Sequence, residues 1–223
     1  MHQAAREALA DIITRRRDVR AEFTGDPLTG EEITELLAAA HAAPSVGNSQ
    51  PWDFVVVRDR AVLDTFADHV AGCRLAYANT LSGERRERFS PIKIEGIRES
   101  GLGIVATYDH TRFGPNVLGR HTISDAGVFS VVCAIQNLWL MATAGGLGVG
   151  WVSFYEEDFL SGLLGLPDQI RPVAWLCVGR VSKLQEVPDL IRFGWNERLP
   201  LSEVVHYDRW ERRHGDKSVS DRP

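Results

Sequence analysis

Residues 124–154, SDAGVFSVVCAIQNLWLMATAGGLGVGWVSF, decide how the chain is read. Ser124 to Ala144 carries a helix pattern that is apolar on most sides, the pair Gly145-Gly146 stops it, and Val149 to Phe154 reads as a strand. Gly146-Leu147-Gly148-Val149-Gly150-Trp151-Val152-Ser153 superficially resembles a dinucleotide fingerprint. The order is wrong for one: that fingerprint follows a strand and opens a helix, whereas these glycines follow a helix and enter a strand. They are read instead as places where backbone approaches a planar ligand closely. A helix apolar on most sides must be covered on several faces, and both self-association and central burial within one chain would achieve that.

Working outward, the same alternation of helix and strand continues on both sides. Residues 3 to 16 have a modest helical face in Ala4, Ala8, Ile12 and Ile13. Thr29 and Glu32 stand at capping-box spacing before Ile33, Leu36, Leu37 and Ala40, and Pro44 interrupts that helix. Residues 45–52 form a loop before the buried strand pattern of residues 53–57. A helix is expected near 60–79, a strand at 103–108, a short helix at 156–164 and an apolar strand at 173–181. The charged segment 82–100, SGERRERFSPIKIEGIRES, reads either as a solvated helix pair or as a cover over a site. Strands separated by helices, with no internal repeat, predict a three-layer α/β or α+β arrangement in one domain over residues 1–210. Residues 211–223, ERRHGDKSVSDRP, have almost no apolar content and read as a disordered tail.

Composition narrows the chemistry. The 223 residues, 44% hydrophobic and 25% charged, suit one globular unit. No stretch reads as the roughly 20 apolar residues that span a bilayer, and the first residues lack a secretory pattern, so the expectation is a cytoplasmic protein without membrane attachment. A net charge of −5 argues against nonspecific nucleic-acid binding. Cys73, Cys133 and Cys177 are scattered and read as core or near-core thiols, with no metal spacing. The histidines form no H-x-x-x-H pair and no G-x-S-x-G elbow is present, so zinc or serine hydrolysis has no support.

Two polar clusters remain. Arg15, Arg16, Arg17 and Arg20 place four cations within six residues, and forked guanidinium groups suit a phosphate; a helix end complementing the macrodipole is the simpler reading. Ala43-Pro44-Ser45-Val46-Gly47-Asn48-Ser49-Gln50-Pro51-Trp52 crowds hydroxyls and amides that could read the edge of a flat heterocycle, or could bond only to their own turn. Trp52 reads as a core anchor.

Taken together, these segments resemble the nitroreductase-like flavoprotein superfamily. RRDVR, APSVGNSQPW, SGER, IKIEGIR, QNLWL, GVGWVSF, VAWLCVG and GWNERLPL, in this order, look like its 5,6-dimethylbenzimidazole synthase branch, of BluB type. The resemblance spans most of the chain. It implies an α+β, three-layer, nitroreductase-like fold with a mixed sheet flanked by helices, in a homodimer whose two subunits share each site. It also implies that reduced FMN is the substrate, fragmented with O2 to 5,6-dimethylbenzimidazole and erythrose 4-phosphate, with a separate flavin reductase supplying the reduced FMN. Ordinary nitroreductases commonly carry Ser where Asp18 stands, and an ionised carboxylate can accept and return a proton as a hydroxyl does not. The implied catalytic residues are Asp18 and Ser153. The implied flavin contacts are Arg16, Arg17, Asp18, Val19 and Arg20 from the first motif, Ser45, Gly47, Asn48 and Gln50 from the loop, Gly150, Trp151, Val152 and Ser153 from the glycine segment, and Arg198. An ion pair with a neighbouring arginine is the plain alternative for Asp18. An FMN-retaining NAD(P)H-dependent reductase and a noncatalytic flavin carrier are the competing functions.

Overall fold

The computed structural model describes residues 2–210; the expected tail, 211–223, lies outside them. After helix α1 (His2–Arg15), α2 (Gly30–His41) starts as its capping box requires. The Glu32 backbone N–H donates to Thr29 Oγ1 at 3.1 Å, and the Thr29 N–H donates to Glu32 Oε2 at 2.8 Å. Two of the four N-terminal donors that a helix leaves unpaired are thus satisfied. A short 3-10 turn (Val46–Asn48) precedes β1 (Trp52–Val57), and α3 (Arg60–Thr80), α4 (Gly83–Phe89) and α5 (Ile97–Ser100) lead to β2 (Gly103–Asp109). The long α6 (Ala126–Ala144), β3 (Leu147–Val152), α7 (Glu157–Leu164), β4 (Ile170–Arg180) and α8 (Asp189–Arg192) follow.

The four strands lie in the order β1-β2-β4-β3, and every neighbouring pair is antiparallel. The sheet expected to be mixed is therefore an antiparallel ladder. Among the described residues its parallel component is one bridge, from Asp18 to Val149 on the free edge of β3. A two-residue side-chain period then sorts the strands between two cores. Ala174, Leu176 and Val178 of β4 face Leu36, Ala40, Ile135 and Leu138 of α2 and α6. Trp175 and Cys177 point the other way, into Phe66, Val70 and Leu160 of α3 and α7. Helices on both faces of the sheet give the three layers.

Helix α6 corrects two expectations. Its 19 residues are long and apolar enough, by length and composition, to cross a membrane, although no such stretch was anticipated; half of it is buried between α2 and the sheet, as a core helix would be. The opposite face leaves Phe129, Val132 and Met141 exposed, along with Cys133, which is thus no core thiol. Cys177 is buried and Cys73 half-buried.

Candidate functional site

The segment after α1 runs along the outer edge of β3. The Val19 N–H donates to the Val149 carbonyl at 2.9 Å, continuing the ladder for one residue. At the next position a side chain takes over: the Trp151 N–H donates to Asp18 Oδ1 at 2.9 Å. Asp18 Oδ2 accepts from Arg20 Nη2 at 2.5 Å, and the same Nη2 also donates to the Trp151 carbonyl at 2.5 Å. Asp18 and Arg20 thereby satisfy the edge groups of Trp151 that a fifth strand would otherwise pair. The Asp18 side chain keeps about half its surface exposed, yet partial removal from water among its packed neighbours still raises the carboxyl above the ordinary carboxylate range, against the pull of Arg20, the Trp151 N–H and Arg16.

Gly150 makes this packing possible. A Cβ there would lie 2.2 Å from the Val19 carbonyl oxygen and 2.3 Å from Arg20 Nη1. At Gly148 a Cβ would lie 2.4 Å from Val181 Cγ1. The close approach inferred for these glycines is real, but what approaches is the protein's own Val19–Arg20 segment and Val181, not an open ligand face.

Asp18, Arg20, Trp151 and Ser153 line a cavity of about 340 Å³. Ile92, Lys93 and Ile94 form another part of its wall, and Phe154, Pro188, Asp189 and Leu190 complete it. The sequence named neither 92–94 nor 188–190 as individual contacts. The one signal, for 92–94 alone, was the apolar alternation inside IKIEGIR, which buries Ile92, Ile94 and Ile97. The 82–100 segment does form a helix pair whose first member is solvated, with six of the seven α4 residues exposed, but the stretch between the two helices reaches the site. Its apolar side walls the cavity, while the charges of α4 clasp residues 194–195: Arg85 lies 3.8 Å over the Trp195 ring and Arg88 donates to the Gly194 carbonyl at 2.8 Å.

The remaining expected contacts divide. Val152 is buried in the core beneath the sheet and Val19 is buried beside it, so neither side chain lines the cavity. Arg17 gives its two Nη atoms to carbonyls, donating to Thr14 at 2.7 Å, to Arg16 at 2.8 Å and to Glu186, while its buried Nε has no partner among the described residues. Arg16 lies 4.8 Å over the Trp139 ring and makes no ion pair among the described residues. Arg198 is exposed on the segment after α8 and stands apart from the cavity wall.

Ser45, Gly47, Asn48 and Gln50 lie before β1, at the opposite edge of the sheet from Asp18. Three strand spacings, roughly 14 Å, separate those edges. Ser45 Oγ accepts from the Gln50 N–H at 2.9 Å, and Asn48 Oδ1 accepts from Gln50 Nε2 at 3.3 Å. Gly47, Asn48 and Gln50 all have positive φ, at 55°, 51° and 42°. Such backbone is costly for Asn and Gln, and it persists because neighbours hold it. Ser130 Oγ accepts from the Val46 N–H at 3.0 Å, and Arg112 donates to the Gln50 and Trp52 carbonyls at 2.9 and 2.8 Å. Trp52 is the anchor expected, buried with its Nε1–H donating to His41 Nδ1 at 3.1 Å.

The sequence profile of the nitroreductase family matches residues 13–180, and the chain belongs to that family. Within it, the chain is 40% identical over 195 residues to a 5,6-dimethylbenzimidazole synthase of Rhodospirillum rubrum, covering 87% of this chain and 92% of that one. It is 34% identical over 211 residues to a protein of the same name from Rhodobacter capsulatus, covering 95% and 98%. Among solved structures, a BluB-like flavoprotein from Clostridium difficile 630 shares the fold with a TM-score of 0.69 at 22% identity, covering 90% of this chain and 99% of that one.

Proposed function

We infer that this chain is a 5,6-dimethylbenzimidazole synthase that takes reduced FMN and O2 as substrates and releases the benzimidazole and erythrose 4-phosphate. The observation that carries the reading is a carboxylate, Asp18, lining one cavity with the Ser153 hydroxyl in a chain 40% identical to a protein of that name. The cavity suits a flavin. Trp151, Phe154, Ile92, Ile94 and Leu190 offer apolar surface to a flat ring, and Asp18, Arg20 and Ser153 offer polar groups to its edge. Bound and reduced, the flavin itself supplies the electrons for the oxygen chemistry.

The protein's part is positioning and proton handling. Asp18, oriented by the Trp151 N–H and Arg20, accepts a proton near the ribityl attachment; Ser153 donates a hydrogen bond within the same cavity. Arg16, the least committed of the clustered arginines, provides a charge for the phosphate, with Arg198 reaching it in the assembled protein. Arg17 and Arg20 contribute mainly by fixing the backbone and the carboxylate.

The site is proposed to be shared across a homodimer. Ser45, Gly47, Asn48 and Gln50 sit on the far edge of the sheet, so within one chain they do not reach Asp18; a second copy would bring its loop to the cavity. The apolar outer face of α6, with Leu9 and Ile13 exposed on α1, gives that second copy a surface to cover. A separate flavin reductase would deliver the reduced FMN.

The test is incubation of the purified protein with chemically reduced FMN in air. Formation of 5,6-dimethylbenzimidazole with loss of flavin is expected. Recovery of intact FMN, with NAD(P)H-dependent reduction of a nitroaromatic instead, would overturn the reading.

A further inference from the structure

Asp18 is not the only carboxylate on the cavity. Asp189, the first residue of α8, lines it between Pro188 and Leu190. Its side chain is 19% exposed. Oδ1 is buried and lies 3.1 Å from Arg192 Nη2, yet it accepts no hydrogen bond among the described residues. With Oδ1 buried, the exposure that remains comes from the other atoms of the side chain, in a residue that lines the cavity. Its charged surroundings are mixed: Arg192 on its own helix, Arg20 and Glu22 from the segment beside β3, and Asp18 and Lys93 on the cavity wall, Lys93 being paired with Glu99.

The two carboxyls differ in what holds them. Asp18 accepts a backbone N–H and a guanidinium N–H, one on each oxygen, which is the arrangement an ionised carboxylate prefers. Asp189 has an ion-pair neighbour but no aligned donor, an arrangement that does much less to hold the charged form. Burial pushes its carboxyl above the ordinary range, Arg192 opposes this, Glu22 adds to it and Arg20 opposes it. Two titratable groups in one cavity with unlike environments are how an acid role and a base role are divided.

We propose that Asp189 is a second acid–base residue of this cavity, giving a proton to an oxygen or nitrogen of the bound molecule while Asp18 accepts one. This rests on the benzimidazole synthase reading. In the step, the carboxyl O–H bond breaks, an O–H or N–H bond forms on the bound molecule, and the electron pair stays on the Asp189 carboxylate. The carboxylate recovers its proton from water. No oxidant or reductant is required.

The experiment compares wild type, Asp189→Asn and Asp189→Glu, measuring product formation from reduced FMN in air across pH, and FMN affinity by fluorescence quenching. As the acid, Asp189 must be protonated, so the wild-type rate falls as pH rises through its raised pKa. The Asn variant is expected to lose about 10²-fold in rate with FMN affinity nearly kept, because general acid catalysis is of that order. The Glu variant keeps most of the rate but moves the descending limb. A wild-type rate and descending limb in the Asn variant would overturn the proposal and leave Asp189 as a partner of Arg192; if that variant does not fold, an unmoved limb in the Glu variant overturns it equally. If wild type itself makes no product, the function reading fails separately, and binding decides for Asp189. Wild-type affinity for the anionic FMN should then weaken several-fold as Asp189 loses its proton, with no such change in the Asn variant; equal pH dependence in both rejects the role.

Discussion

The two edges of the sheet carry polar clusters of similar richness and opposite finish. At the β3 edge, Asp18 and Arg20 complete the ladder, are packed against Gly150, and open into a cavity. At the β1 edge, Ser45 and Asn48 both bond to Gln50, with Gly47, Asn48 and Gln50 on a left-handed backbone, pinned by Ser130 and Arg112. One edge is a pocket lacking some of its expected contacts, and the other is a set of contacts without that pocket. The shared site proposed above would account for both: rigid loops offered to a partner must be shaped by their own chain beforehand, because ordering them on association would weaken it.

The largest expected effect lies at the finished edge. Asp18→Asn should lower benzimidazole formation by about 10²–10⁴-fold, the usual weight of one acid–base group, with reduced FMN still bound. In the wild type, a base role for Asp18 sets the ascending limb of the pH profile, with a midpoint above the ordinary carboxylate range because only the ionised form accepts the proton, while an acid role for Asp189 sets the descending limb. The same variant tests the sharing. Gly47→Ala damages the β1 edge, where a Cβ would lie 2.8 Å from Val117 Cγ1 and 2.9 Å from the Leu118 backbone. Dissociated and remixed in equal amounts, the two inactive variants should regain about a quarter of wild-type activity, because half the dimers then carry one intact site of two. No recovery on mixing would place each site within one chain.

Gly150→Ala should come next, acting on stability. Its Cβ cannot coexist with Val19 O and Arg20 Nη1, so the Val19–Arg20 segment must move, at a cost of about 3 kcal/mol in urea unfolding. Flavin affinity should fall with it, since the shift displaces Asp18. The smallest effect is expected far from both edges. Thr29→Ala removes the N-cap of α2 and should cost about 1 kcal/mol while leaving the rate of product formation unchanged.

Much of this was legible without coordinates because it depends on neighbours in the chain. Thr29 and Glu32 cap a helix wherever it packs. The run Val173 to Val181 reads as an apolar strand, which the structure forms as Ile170–Arg180, and Asp18 among arginines marked a place where a charge needs a reason. The motifs also carried the family, since their order along the chain is itself the signal. Three things depended on residues brought together from far apart. Ile92 to Ile94 and Pro188 to Leu190 became cavity walls only when β3 drew them around Asp18. Gly150 was correctly read as a site of close approach, but a one-dimensional pattern cannot name what approaches, and the tertiary structure put Val19 and Arg20 there. The separation of the arginine motif from the 45–50 loop was likewise invisible, because spacing along the sequence says nothing about strand order, and it is the order β1-β2-β4-β3 that sends the two clusters to opposite edges.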